Sequence, residues 1–255
     1  MKTTCTYLSQ FFLGLIILAA ATAIGSQELT GTPPGAGGQP LTVEGTLFLL
    51  DVSKIDGADQ SFTADVFMML RWKDERLASE SGGIRRLPVG SIWNPRVQII
   101  NQRRIWKTFP ESVDVSPDGT VVYRQRYYGQ FASALDLRDF PFDRHRFKAQ
   151  VVIPGYGLDE IEFLPMAEDL GIGRSPQMTA PDWSIGALDV RTAPYAVIPG
   201  GREIAGLEGS FEARRHLGFY IGKAFVSVAI IVFMSWVVFW LGPEHVGPRL
   251  SVAVT

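Results

Sequence analysis

The stretch Leu135-Asp-Leu-Arg-Asp-Phe-Pro-Phe-Asp143 places a proline between two phenylalanines and ends on an aspartate. Pro141 fixes the backbone here, through either a trans or a cis peptide bond, so Phe140 and Phe142 form an apolar knob. A carboxylate beside such a knob is costly to bury without a partner. The stretch therefore predicts a shaped loop in which Asp143 needs a partner if it is buried.

Short β-rich runs separated by turns surround this loop between residues 41 and 215. Pro117-Asp-Gly119 predicts a turn that joins two of them. No stretch before Leu217 has the length and period of a long amphipathic helix, so we expect an all-β, immunoglobulin-like antiparallel sandwich at 41–215. The predicted strands are Leu41–Val52, Phe62–Trp72, the two halves of Val113–Tyr123, Phe147–Ile153, Ile161–Leu164, Trp183–Val190 and Phe211–Arg215.

The N-terminal region is typical of an exported protein. Residues 1–23 have Lys2 ahead of an apolar core, Phe11–Ala23, which indicates a secretory signal peptide, with an uncleaved anchor as the alternative. Residues 24–40 are rich in glycine and proline and predict a flexible leader. The single cysteine, Cys5, excludes an internal disulfide.

Residues 217–241 predict a transmembrane helix. No residue of Phe225–Leu241 is charged, and the whole segment is long enough to cross a bilayer. A buried helix of a soluble protein is the alternative. If a signal peptide exports the preceding domain, that domain lies on the periplasmic or extracellular side of the cell (inner or plasma) membrane, and 242–248 form a short cytoplasmic loop.

Catalytic and nucleic-acid-binding patterns are missing from the sequence. The histidines His145, His216 and His245 are far apart, and no cluster has metal-ligand spacing. There is no phosphate-binding glycine loop and no nucleophile elbow. The net charge of -2 suggests no nucleic-acid partner. We expect no enzyme activity, metal or cofactor; a secreted β-sandwich hydrolase is a distant alternative.

The segment Ser133–Phe147 resembles the signature loop of the Cys-loop receptor superfamily, the pentameric ligand-gated ion channels. Animal members carry a cysteine at each end of this loop, whereas Ser133 and Phe147 stand here, as in the disulfide-free prokaryotic branch. Further resemblances occur in the same order as in the family and cover roughly residues 41–255. Arg71–Leu77 resembles the family's Trp-x-Asp-x-x-Leu strand, and Trp93-Asn-Pro95, followed by Asn101, resembles its Trp-x-Pro segment. Phe211–Arg215 before Phe219-Tyr220 resembles the approach to the first transmembrane helix, and Ser235–Trp240 resembles the end of that helix.

The resemblance implies a subunit with an extracellular ligand-binding sandwich and four membrane helices, in a homo-pentamer around a central pore. Residues 217–241 would be the first helix, and 249–255 the incomplete start of the second, pore-lining helix. Ser251 and Thr255, four residues apart, would share its pore-facing side. The implied partners are membrane lipid, permeant inorganic ions (cations, as in most prokaryotic relatives) and a small-molecule or proton agonist. The alternative is a membrane-anchored periplasmic binding protein without channel activity.

The family's agonist site lies between neighbouring subunits and is lined with aromatic side chains, which attract cations. Its positions correspond here to Phe67, Ile100, Pro154 with Tyr156 two residues later, and Arg202 in the capping hairpin. This set departs from an aromatic amine cage. Phe67 and Tyr156 fit the sandwich core as well as they fit a ligand site. The departure leaves an anion, a small polar molecule and protons open as the agonist.

The resemblance also implies a gating role for the loop. Its partner for Asp143 would be the arginine just before the first membrane helix, Arg215. The alternative is a purely structural role, in which Asp143 caps a turn and Arg215 anchors the chain at the membrane surface. We assign the coupling role to Asp56 in the acidic turn Asp56–Asp59, to Phe140, Pro141 and Phe142, and to Asp143 and Arg215.

Overall fold

The computed structural model describes residues 30–35, 38–80, 82–166, 173–220, 222, 225–237 and 240. In these residues the chain forms strands from Leu41 to Arg215. They are β1 (Leu41–Asp56), β2 (Ser61–Lys73), β3 (Arg85–Pro88), β4 (Gln98–Ile99), β5 (Gln102–Lys107), β6 (Ser112–Val115), β7 (Thr120–Ala132), β8 (Arg144–Gly157), β9 (Ile161–Pro165), β10 (Trp183–Thr192), β11 (Tyr195–Ala196) and β12 (Glu203–Arg215).

The strands form two sheets that confirm the predicted β-sandwich. Sheet A has the order β3-β6-β7-β2-β1-β9, with β5 also paired to β7. Sheet B has the order β10-β12-β8-β4, with β11 paired to β12. The pairs are antiparallel except for β1 with β9. In β7, alternate residues from Val121 to Phe131 are buried, which is the period expected when one face of a sheet covers a core.

An aromatic cluster joins the two sheets. Phe62 of β2 stacks on Phe131 of β7, with ring centroids 5.0 Å apart. Phe62 also meets Phe147 of β8 at 5.1 Å and Phe211 of β12 at 5.7 Å. This cluster lies where β2 and β8 begin and β7 and β12 end, which we call the junction end of the sandwich.

The strands that the sequence did not predict are short or highly charged. β3, β4 and β11 have 4, 2 and 2 residues, and β5, Gln102-Arg-Arg-Ile-Trp-Lys107, is mostly exposed. Their main contribution is backbone pairing at the margins of the sheets, so they lack a strong apolar period. Two 3₁₀ helices, Glu75–Leu77 and Val89–Ser91, lie in the connections.

After β12 the structure describes two helices, α1 (Leu217–Tyr220) and α2 (Val226–Val237). Among the described residues, no helix combines the length and the apolar character needed to cross a bilayer. The predicted span 217–241 includes residues outside this part, so the transmembrane helix stays a prediction. The predicted signal peptide, residues 24–29 and 36–37 of the leader, the 242–248 loop and the pore positions Ser251 and Thr255 also lie outside the described residues.

Candidate functional site

The loop 133–143 ends in an exposed apolar knob followed by a buried carboxylate. The Phe140–Pro141 peptide bond is cis. The side chains of Phe140 and Phe142 are exposed at the junction end, whereas Asp143 is only 2% exposed. The exposed rings match the apolar knob that the sequence predicted, whereas the burial of Asp143 was only one of the conditions considered for it.

Arg215 binds Asp143 through two parallel hydrogen bonds. Its Nε atom donates to Asp143 Oδ1 at 2.8 Å, and its Nη2 atom donates to Oδ2 at 2.9 Å. The side chains are 10% and 1% exposed, so solvent screens the pair weakly. The partner implied by the resemblance is therefore present, across 72 positions of sequence.

Two aromatic rings hold the guanidinium of Arg215. Its Cζ atom lies 4.1 Å from the ring centroid of Trp183, at the start of β10, and 5.0 Å from that of Phe140. A planar guanidinium stacks on such rings while its edge binds a carboxylate. Arg215 thus contacts β10, the loop knob and Asp143 at the same time.

His145 is a third member of this cluster that the sequence reasoning missed. Its Nε2 atom is 2.7 Å from Asp143 Oδ2, and its side chain is 7% exposed. The ring lies 5.9 Å from that of Trp183 and 6.1 Å from that of Phe147. Because alternate residues of a strand share one face, its position two residues after Asp143 could have indicated it.

The environment keeps Asp143 ionised. Burial alone would raise the pKa of its carboxyl group, but the hydrogen bonds from Arg215 and His145 outweigh burial and hold that pKa below its usual range. A bidentate arginine–carboxylate pair combines strength with a fixed geometry. The cluster therefore holds the end of the loop against the last residue of β12 in a fixed geometry.

Asp56 lies in the turn between β1 and β2, and its described contacts are local. Its Oδ1 atom accepts from the backbone N–H groups of Ala58 and Asp59 at 3.0 and 3.1 Å, and Lys54 binds Oδ2 at 2.7 Å. The hydrogen bond from Lys54 lowers the pKa of the Asp56 carboxyl. Asp56 thus shapes the turn, while its assignment to the coupling role stays a prediction.

The predicted agonist-site residues fall on both sheets. Phe67 lies on the outer face of sheet A, with its ring 6.2 Å from that of Phe109. Ile100 follows β4 and is exposed, and its N–H group donates to Gln150 O at 2.8 Å. Pro154 lies on β8, which belongs to sheet B. A site built from all of them would require the two faces of neighbouring subunits.

Tyr156 and Arg202 already have partners within the chain. The hydroxyl group of Tyr156 accepts a hydrogen bond from Trp93 Nε1 at 3.1 Å, which ties this side chain to the core. Arg202, in the β11–β12 hairpin, binds Asp159 at 2.9 Å and Glu160 at 2.8 Å. The hairpin is thereby fastened to the turn after β8 rather than left open.

Asn101 connects the two sheets, a role that the sequence did not indicate, because Asn101 was noted there only as part of a motif. Its side-chain N–H₂ group donates to Ala132 O on sheet A at 3.0 Å and to Lys148 O on sheet B at 2.7 Å. Its Oδ1 atom accepts from Gln150 N at 3.2 Å. One amide thus bridges the two sheets beside Ile100.

Within the described residues, no group of three or more His, Cys, Asp or Glu could hold a metal ion.

Comparisons with known proteins agree with this architecture. Residues 30–180 match the neurotransmitter-gated ion-channel ligand binding domain. A proton-gated ion channel of Gloeobacter violaceus is 27% identical over 219 residues, which are 84% of this chain and 60% of that protein. The gamma-aminobutyric acid receptor subunit beta-4 of Gallus gallus is 25% identical over 238 residues, 87% of this chain and 47% of that subunit. The chain spans roughly half of the length of these curated relatives, which are channels or receptors and not enzymes.

Proposed function

The chain belongs to the neurotransmitter-gated ion-channel ligand binding domain family, and we propose that it is the sensing part of a subunit of a homo-pentameric ligand-gated ion channel. The sandwich lies on the periplasmic or extracellular side of the cell membrane. An agonist binds between neighbouring subunits and opens a pore for inorganic cations, which membrane helices including 217–241 form within the lipid. Ser251 and Thr255 line that pore.

The buried Asp143–Arg215 pair is the observation that carries this proposal. Asp143 ends the loop 133–143, and Arg215 ends β12, two positions before α1 begins at Leu217. Removing one member of a buried ion pair typically costs about 3–5 kcal/mol, because the other charge is left without a partner. The loop and the start of α1 are therefore held together strongly enough to move together.

The exposed knob of Phe140 and Phe142 supports a contact between the sandwich and the membrane part of the subunit. Phe140 and Phe142 are 48% and 69% exposed at the junction end. Exposed rings of this kind mark a surface that a neighbouring domain covers. We infer that the membrane part of the subunit covers them, and that the turn carrying Asp56 makes a further contact there.

The agonist contacts are proposed on two faces. Phe67 supplies the sheet A face of one subunit, and Ile100, Pro154, Tyr156 and Arg202 supply the opposing face of its neighbour. Because Tyr156 is engaged with Trp93, and Arg202 with two carboxylates, the site does not form an open aromatic cage. A small polar molecule, an anion or protons fit this chemistry better than a large organic cation.

Asp143→Asn in the full-length protein tests the coupling. Asparagine keeps the size of the side chain but removes its charge, and it replaces one acceptor oxygen with an N–H₂ donor, so it cannot accept from Arg215 through two oxygens. With pH steps and gamma-aminobutyric acid as the two probes, we expect the half-maximal agonist concentration to rise at least about tenfold, equivalent to roughly 1.4 kcal/mol, or the current to be lost. Pentamer assembly and surface expression should be unchanged.

Asp136→Asn is the matched control. Asp136 lies in the same loop and binds Arg138, but this pair is exposed, and exposed pairs contribute little. Its variant should respond like the wild type. Wild-type responses from Asp143→Asn would refute the coupling role. A wild-type protein that assembles and reaches the surface, but passes no current with any agonist, would instead favour a membrane-anchored binding protein.

A further inference from the structure

Gln60 occupies an unusual position at the junction end. It is the last residue before β2, in the turn that follows β1, and its backbone φ is +50°. That left-handed region is uncommon for residues other than glycine. Non-glycine residues are held there when the surrounding contacts compensate for the strain.

Those contacts reach from the turn to the loop 133–143. The Gln60 side chain accepts a hydrogen bond from Leu135 N at 2.5 Å through Oε1, and it donates to Gly57 O at 2.7 Å through Nε2. Its main-chain carbonyl accepts from Ser133 N at 2.9 Å. One residue thus binds two backbone N–H groups of the loop and one carbonyl of its own turn.

Side-chain packing continues the same contact. A methyl group at Gly57 would lie 3.3 Å from Leu137 Cδ1, so the turn and the loop already pack closely. Leu135 itself is buried in the core. The turn, the loop and the start of the aromatic core therefore form one continuous body around Gln60.

We propose that Gln60 is a positioning residue that joins the β1–β2 turn to the loop 133–143, so that the two move as a single unit. The effect of this linkage on gating rests on the channel function proposed above. The linkage itself rests only on the contacts of Gln60 and holds without that function. Through the loop, Gln60 places Asp143 where Arg215 binds it.

Hydrogen exchange on the full-length protein tests the linkage. Gln60→Met keeps the length of the side chain but removes both of its hydrogen bonds. We expect peptides from the turn and from the loop to exchange together, about five- to tenfold faster than in the wild type, as expected for one lost hydrogen bond. Gln60→Glu keeps the acceptor for Leu135 N, which is the bond that joins the turn to the loop, so exchange in both segments should be slower than in Gln60→Met.

Gln130→Met is the matched control, because Gln130 Nε2 donates to Ser61 Oγ at 2.7 Å beside the same turn without binding the loop. This variant should leave exchange in the loop unchanged. The proposal is overturned if Gln60→Met leaves loop exchange at the wild-type rate, or if Gln130→Met accelerates it equally.

Currents evoked by pH steps supply the functional readout. The linkage predicts a weaker response in Gln60→Met than in Gln130→Met at equal surface expression, with Gln60→Glu intermediate. If the variants respond like the wild type while loop exchange accelerates, the linkage stands and its role in gating is overturned. If the wild type passes no current, only the proposed channel function is affected, because the exchange result decides the linkage.

Discussion

At the scale of single residues, both carboxylate oxygens of Asp143 have partners. Arg215 takes both, and His145 shares Oδ2. That Asp143 needs a partner once it is buried could be predicted from the residues, because an unpaired buried carboxylate is unfavourable. The identity of Arg215 came only from the resemblance, since a pair separated by 72 positions depends on how β8 and β12 align. Trp183, which stacks on Arg215, was predicted only as the start of a strand.

The lowered pKa of Asp143 predicts how acid affects this pair. A group whose pKa is lower in the folded state contributes stability above its unfolded pKa of about 3.9, and that stability is lost as the pH falls through the folded value. The difference in melting temperature between the wild type and Asp143→Asn should therefore stay constant from pH 7 to about pH 4 and shrink below it. Thermal unfolding followed by circular dichroism measures this. A difference that disappears between pH 7 and pH 5 would show that Asp143 is not held ionised.

At the scale of elements, the turn between β6 and β7 shows why local signals were informative. Pro117-Asp-Gly119 predicted two strands joined by a turn, and the structure has β6 and β7 on either side of it. Gly119 adopts a φ of +84°, which glycine accepts without strain. The short, charged strand β5 could not be predicted from its composition, because its pairing with β7 determines its conformation.

Gly119→Ala should destabilise the protein through two separate effects. Alanine is strained at this φ, at a cost of more than about 1 kcal/mol. In addition, its Cβ atom would lie 2.5 Å from the carbonyl oxygen of Asp74. Gly200→Ala is the control, because Gly200 has a φ of +77° but open space around its Cβ position. The melting temperature should fall further for Gly119→Ala. Equal decreases would contradict the predicted clash.

At the scale of the whole molecule, the sandwich could be predicted because strand periods and turns recur from residue 41 to residue 215. The arrangement of the candidate agonist residues could not, because their partners are distant in sequence: Tyr156 binds Trp93, and Arg202 binds Asp159 and Glu160. Phe67 of sheet A packs on Phe109 in the β5–β6 connection, whereas Tyr156 lies on β8 of sheet B and Arg202 in the β11–β12 hairpin. Such a division suits the site that we propose between two subunits, whose geometry would depend on contacts between chains rather than on short-range sequence patterns.

We propose that Asp143 and Arg215 act as a pair that couples the sandwich to the channel. A charge exchange in the full-length protein, Asp143→Arg together with Arg215→Asp, tests it most directly through agonist-evoked currents. Each single variant places two like charges together in a buried site, and we expect it to assemble but give no current. The double variant restores opposite charges and should regain a measurable response. Single variants that respond like the wild type, or an assembled double variant as silent as either single one, would contradict the coupling.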